Sequence, residues 1–428
     1  METKVEKHTL ANGLTILTKE MHHIPLVSQW VWYRVGSRNE PEGRTGISHW
    51  VEHMQFKGTK KYPINVLDKE ISRDGGIWNA MTSLDWTTYF ETMPAHKIDI
   101  AIDLEADRMR NSLVDEDETL LERTVVISER EGNENEPLFR LGESIQKAAF
   151  KRHTYAHQVI GDLQDLKKIT REELFSHYRN HYTPDNALVA VVGDFKTDEI
   201  INKYKKTFGA ISDQRKEYFN PEPELELPES QLIEIEGPGS TVYLQLSYRS
   251  PNAQSEDFFP LVVLDSLLTG PTSLAMFGGG SISNKTSRLY RALVEKDLVA
   301  SISAGVQATI DPYVYEILAI LQPDHPLDKV QKIIDNEIDR LKNGDVSDDE
   351  IQRAIKQAKA LFAYGSESIT NQAFWLGYAS MFADHTWFEN YLIQLEQVTP
   401  QRVAETAKKY LDSDRRVVGI YKPRENGN

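Results

Sequence analysis

Positions 4–10 and 14–20 alternate apolar and polar residues on either side of Asn12-Gly13. Two alternating runs joined by Asn-Gly predict a β-hairpin, because a tight turn needs positive φ angles that these residues adopt at little cost. A third apolar run, 26–35, ends at Gly36 and predicts another strand. The period then lengthens. Over 46–57 the apolar side chains Ile47, Trp50, Val51 and Met54 gather on one helical face, and Gly58 supplies a C-terminal stop. Helices are also predicted over 97–113, 117–131 and 171–182. The last leads through Thr183-Pro184-Asp185-Asn186 into an apolar strand, 187–192.

The stretch 213–229 is rich in Pro, Glu and Lys and lacks apolar periodicity, so it reads as a linker between a domain over 1–212 and another over 230–428. A chain of 428 residues is too long for one ordinary core. An internal repeat supports the division. Ile169-Thr170 opens a helix that ends at His181-Tyr182 and is followed by a Val-rich strand; Val398-Thr399-Pro400 opens one that ends at Lys409-Tyr410, followed by Arg416-Val417-Val418-Gly419. Val114-Asp115-Glu116 before one helix is echoed by Val346-Ser347-Asp348 before another, and both echoes fall about 230 residues apart. The histidines do not share this symmetry. Ten of twelve lie in the first half, leaving only His325 and His385 in the second.

Composition narrows the chemistry. Hydrophobic residues at 40% and charged residues at 27% are the balance of a soluble globular protein. The apolar run 187–192 is far short of a membrane span. The N-terminus carries no apolar signal core, so a cytoplasmic location is expected, with a trimmed export signal left open. With no cysteine, disulfides and thiolate chemistry are excluded, and any zinc must be held by His and carboxylates. A net charge of −16 argues against nucleic-acid binding.

The chemistry concentrates in His49-Trp50-Val51-Glu52-His53. On a helix the two histidines are i and i+4, so both imidazoles leave one face and can meet a single cation. Glu52 lies at the edge of that face, within reach of a reacting water without being a ligand. A zinc ion would need a third protein ligand and an open position. His-x-x-Glu-His is the inverted zincin signature.

Around this motif the sequence resembles the M16 peptidase family, which includes pitrilysin, insulin-degrading enzyme and the mitochondrial processing peptidases with their bacterial relatives. The resemblance runs through Leu10-Ala11-Asn12-Gly13-Leu14, Gly36-Ser37-Arg38, Asn79-Ala80, Glu122-Arg123-Thr124-Val125-Val126, Tyr155-Ala156-His157, Ile160-Gly161, Tyr182-Thr183-Pro184-Asp185-Asn186-Ala187 and Ser287-Arg288-Leu289-Tyr290. It implies an α+β fold of two structurally related domains, each a mostly antiparallel sheet packed with helices. It also implies one zinc per chain and metalloendopeptidase activity with Glu52 as general base. The family's third ligand is a glutamate on a later helix at the spacing that Glu129 occupies. Glu131 lies near it but misses that spacing and points elsewhere on the helix. Glu122 matches a supporting glutamate that would orient a ligating histidine.

The resemblance implies further that Asn79 and Ala80 lie on an edge strand to which a peptide substrate adds as an extra strand. In the second half, the family's substrate-clamping Arg and Tyr align with Val294 and Ser301. A homologous, zinc-free partner subunit that supplies them is therefore expected, with a heterodimer as the working unit. A non-catalytic scaffold of the same fold is the alternative. Gly278-Gly279-Gly280 before Lys285-Thr286 fails the phosphate-loop pattern, since Asn284 stands where a glycine is needed, and reads as a flexible loop. His153, His157, His177 and His181 are spaced in i, i+4 pairs without the intervening glutamate, and read as structural or surface residues.

Overall fold

The computed structural model describes residues 4–212, 215, 219–224, 229–271, 284–323 and 326–424. Much of 213–229, the glycines 278–280 and His325 fall outside the described residues.

The opening hairpin forms as its alternation requires. Strands β1 (Glu6–Thr9) and β2 (Thr15–Glu20) pair antiparallel, with Thr9 opposite Thr15 across the Asn12-Gly13 turn. β3 (Leu26–Tyr33), β4 (Ile77–Thr82), β5 (Thr87–Pro94) and β6 (Ala187–Gly193) complete a six-stranded sheet in the order β1-β2-β6-β3-β5-β4. Only the β2–β6 pairing is parallel. The second sheet contains β7 (Gln231–Gly237), β8 (Tyr243–Arg249), β9 (Val299–Val306), β10 (Val314–Leu321) and β11 (Arg416–Pro423), in the order β7-β11-β8-β10-β9. Again one pairing, β7–β11, is parallel. Without β1 the two orders match strand for strand, so the short sequence echoes belong to two copies of one topology. The echoed helix starts match too, since the Thr170 and Thr399 side chains both cap their helices by accepting a backbone N–H.

The chain folds into two compact units that interleave along the sequence. The first contains Met1–Glu131, His157–Pro221 and Ser366–Phe388; the second contains Gly132–Ala156, Glu222–Gly365 and Glu389–Asn428. In the first unit the sheet is covered on both faces, which β3 shows most plainly. Val27, Val31 and Tyr33 turn to the face where helix α1 (Ile47–Gln55) packs Trp50, Val51 and Met54. Trp30 and Trp32 turn to the other, against the almost wholly buried helix Ile369–Phe382. Gly377 permits that approach, because a Cβ there would stand 1.9 Å from Trp32 Nε1. Burial on both sides explains why β6 is apolar throughout and why β3 is apolar but for Ser28 and Gln29, instead of alternating.

Helices α2 (Ile64–Arg73), α3 (Ile98–Asn111) and α4 (Glu116–Asn133) follow α1, all in the same unit except Gly132 and Asn133 at the end of α4. Among the described residues no helix is long and apolar enough to cross a membrane.

Candidate metal centre

Helix α1 is held firmly at its start. Gly46 adopts a left-handed φ of 85°, and a Cβ there would meet Ile160 O at 2.4 Å, so only glycine permits this approach to the Ile160-Gly161 segment. The buried Glu40 carboxylate accepts the N–H groups of Gly46 at 2.8 Å and Ser48 at 2.9 Å, a negative charge at the helix N-terminus. His157 Nε2 contacts the same carboxylate at 2.8 Å. Trp50, Val51 and Met54 are fully buried below. With its start clamped and its apolar stripe packed, the helix presents His49 and His53 from its remaining face, their rings 4.6 Å apart.

Helix α4 supplies the opposing side. Thr119, Glu122, Val126 and Arg130 form its buried stripe, and Glu129 emerges beside that stripe half exposed. Glu129 Oε1 lies 3.9 Å from His49 Nε2, and Glu129 Oε2 lies 3.6 Å from His53 Nε2. His49, His53 and Glu129 each offer one ligand atom, all within 4.8 Å of one another, and they are the only such trio among the described residues. Ligands about 2.0–2.1 Å from zinc at tetrahedral angles stand about 3.3 Å apart, so donors within 4.8 Å of one another would close by at most about 1.5 Å to meet one ion. Glu131 is exposed and outside this group.

The surroundings fit a cation. His53 Nδ1 is 2.7 Å from Glu122 Oε1, which leaves Nε2 to face the centre. The other oxygen of Glu122 is 2.5 Å from Lys57 Nζ. Burial, and then the neighbouring His53, push the His49 imidazole down to about 3, so it stays neutral with a lone pair to donate. Burial opposes charge on His53 too, but the Glu122 bond and nearby carboxylates outweigh it and raise its pKa. Glu122 is penalised by burial, yet His53 and Lys57 hold it below the usual carboxylate range. Glu52, 9% exposed, is raised chiefly by burial, against a hydrogen bond from the Thr82 hydroxyl to its Oε2 at 2.6 Å.

Asn79 and Ala80 sit on β4, the outer strand of the six-stranded sheet, which among the described residues pairs with β5 alone. The Ala80 N–H is engaged by Asn79 Oδ1 at 2.9 Å. Phe56, just after α1, packs its ring 4.9 Å from that of Trp78 on β4, so the motif helix and the edge strand lie against one another.

Residues 15–163 match the family described as Insulinase (Peptidase family M16), and residues 168–358 match the Peptidase M16 inactive domain. The chain is 30% identical over 393 residues to the zinc protease PqqE of Helicobacter pylori, an alignment covering 89% of this chain and 83% of that one. The chain belongs to the M16 peptidase family. Its M16 relatives include a probable mitochondrial-processing peptidase subunit beta of Arabidopsis thaliana, 28% identical over 84% of this chain and 66% of that protein. The crystal structure of a protease from Helicobacter pylori superposes with a TM-score of 0.89 at 26% identity, covering 99% of this chain and 100% of that one. The M16 fold of two mixed-sheet domains is the one described above.

Several residues here carried no local signal in the sequence. Glu40 and Lys57 meet their partners only through the fold, and Thr82 lies 30 positions from Glu52. The i, i+4 histidine pairs outside the motif are buried with polar partners: His153 Nε2 with Asp311 at 3.0 Å, His157 with Glu40, and His177 Nε2 with Ser48 Oγ at 3.2 Å. All four are buried and none is a surface residue. Val294 ends a π-helical turn, Tyr290–Val294, and Ser301 is exposed on β9, an outer strand of the second sheet.

Proposed function

We propose that this M16 peptidase is a zinc-dependent endopeptidase subunit that hydrolyses extended peptides, with His49, His53 and Glu129 holding one zinc ion and Glu52 as general base. The observation that carries this reading is the convergence of two imidazoles from α1 and one carboxylate from α4 on a common point, with a buried, unligated carboxylate beside it. Zinc at that point supplies Lewis acidity, polarising a carbonyl and lowering the pKa of water.

The chain's own residues account for the proton. Thr82 engages Glu52 Oε2, so Oε1 is left to take a proton from water as the carbon–oxygen bond forms. The same oxygen returns it to the amine nitrogen as the carbon–nitrogen bond breaks. Burial raises the affinity of Glu52 for that proton. Glu122 holds His53 so that Nε2 faces the centre. Strand β4 is the outer strand of its sheet among the described residues, and a peptide adds along it by backbone hydrogen bonding, at Asn79 and Ala80, with tolerance for side-chain sequence.

Val294 and Ser301 cannot donate as an Arg and a Tyr would, so we infer that a homologous zinc-free subunit supplies those groups. A scaffold of the same fold is the competing reading, and it gives no reason to bury Glu52 beside two closely set imidazoles. The decisive experiment pairs metal analysis with cleavage of a quenched-fluorescent peptide mixture. Glu52→Gln should keep one zinc per chain and lose turnover, whereas His49→Ala or Glu129→Ala should lose the metal. Full activity in Glu52→Gln, or no stoichiometric zinc in the wild type, defeats the proposal.

A further inference from the structure

Thr82 is the last residue of β4, and it connects the strand edge to the base. Its hydroxyl donates to Glu52 Oε2 at 2.6 Å. Thr87, its partner across the β4–β5 pair, sits with Oγ1 3.4 Å from Thr82 Oγ1 but sends its own proton to Val35 O at 2.9 Å. Thr87 Oγ1 can therefore meet the Thr82 hydroxyl only as an acceptor, and at 3.4 Å it is outmatched by the Glu52 carboxylate at 2.6 Å. A β-branched side chain on a paired strand has a stiff χ1, so the donor is fixed by the sheet. Glu52 has the longer and freer side chain, and it projects from a different element, α1.

We infer that Thr82 is a positioning residue for the peptidase reaction: it pins Glu52 Oε2 so that Oε1 faces the reacting water, and so ties the base to the strand that receives the peptide. This inference rests on the reading of Glu52 as general base. The hydroxyl stays off the peptide, because strand addition uses backbone groups. Loss of the hydroxyl should then slow turnover while leaving peptide binding in place. A misplacement of about 1 Å at a catalytic group costs about 10²-fold in rate.

The test compares wild type, Thr82→Val, Thr82→Ser and Glu52→Gln, all loaded with zinc. With a quenched-fluorescent peptide mixture, Thr82→Val should lower kcat about 10- to 100-fold, with KM within about twofold. Thr82→Ser restores the hydroxyl and should return kcat to within about threefold of wild type, although it loses the methyl group. Crystal structures give a readout independent of turnover and of any partner: Glu52 should hold one rotamer in wild type and Thr82→Ser, and leave it in Thr82→Val. An unchanged Glu52 rotamer in Thr82→Val overturns the inference. So does a kcat within twofold of wild type, or a Thr82→Ser protein as slow as Thr82→Val. An active Glu52→Gln protein marks a different failure, that of the base assignment itself, and removes the role of Thr82 with it.

Discussion

Arg108 offers the sharpest stability test, because its surroundings leave no water to compensate for its loss. The guanidinium is 2% exposed. Its Nε donates to Glu105 Oε2 at 2.9 Å, its Nη2 contacts Glu105 Oε1, and Nη2 also reaches Glu91 Oε1 at 3.4 Å. Its central carbon lies 4.2 Å from the centre of the Tyr89 ring, with the rings of Phe56 and Trp78 also facing it. Arg108→Met keeps much of the volume and removes the charge, leaving two fully buried carboxyl groups with no cation. Breaking a buried pair in this way costs about 3–5 kcal/mol. That is a large part of the roughly 5–15 kcal/mol available to a folded protein. Urea denaturation followed by tryptophan fluorescence reads this unit, since Trp30, Trp32 and Trp50 are buried in it.

The same substitution in a Glu91→Gln/Glu105→Gln background should cost at least about 1–2 kcal/mol less, because no uncompensated charge then remains. A loss below about 1 kcal/mol for Arg108→Met alone, or equal losses in both backgrounds, refutes the account. Burial first, and then Glu105, raise the Glu91 pKa well above its ordinary value of 4.5. The folded state thus binds a proton that the unfolded state has released. Its stabilisation is complete below the ordinary carboxylate range and is lost as pH rises through the folded value. Glu91→Gln should flatten that decline.

Glu122→Gln keeps an acceptor for His53 Nδ1 but loses the charge that meets Lys57. Zinc affinity should fall about 10- to 100-fold, measured by competition with a graded chelator, while the fold persists. Affinity within twofold of wild type would mean that Glu122 does not tune the ligand. Gly46→Ala forces a side chain into left-handed backbone and against Ile160 O, so it should destabilise the first unit by about 1–3 kcal/mol and lower zinc affinity with it. Unchanged urea midpoint and zinc binding would show that the start of α1 can relax freely.

Local chemistry was enough to write the main elements. The Asn12-Gly13 hairpin, the runs behind β3 and β6, the helix carrying His49 and His53, and the threonine-capped helix repeats all follow from periodicity, turn residues and caps acting within a few positions. The i, i+4 histidine spacing alone places both imidazoles on one face, because the helical turn is fixed by the backbone. Pairing Glu129 with them drew on family spacing, since nothing local states where α4 returns to α1. Tertiary structure decided the rest. It brought Glu40 beneath the start of α1, Lys57 against Glu122 and Thr82 against Glu52, and it buried four histidines that spacing left undecided. It also carried Ser366–Phe388 into the first unit, where that helix covers the second face of the sheet. The physical reason is the range of the forces. Periodicity and capping act over one or two turns of chain, whereas burial and hydrogen-bond satisfaction are set by whichever distant segment the fold places alongside.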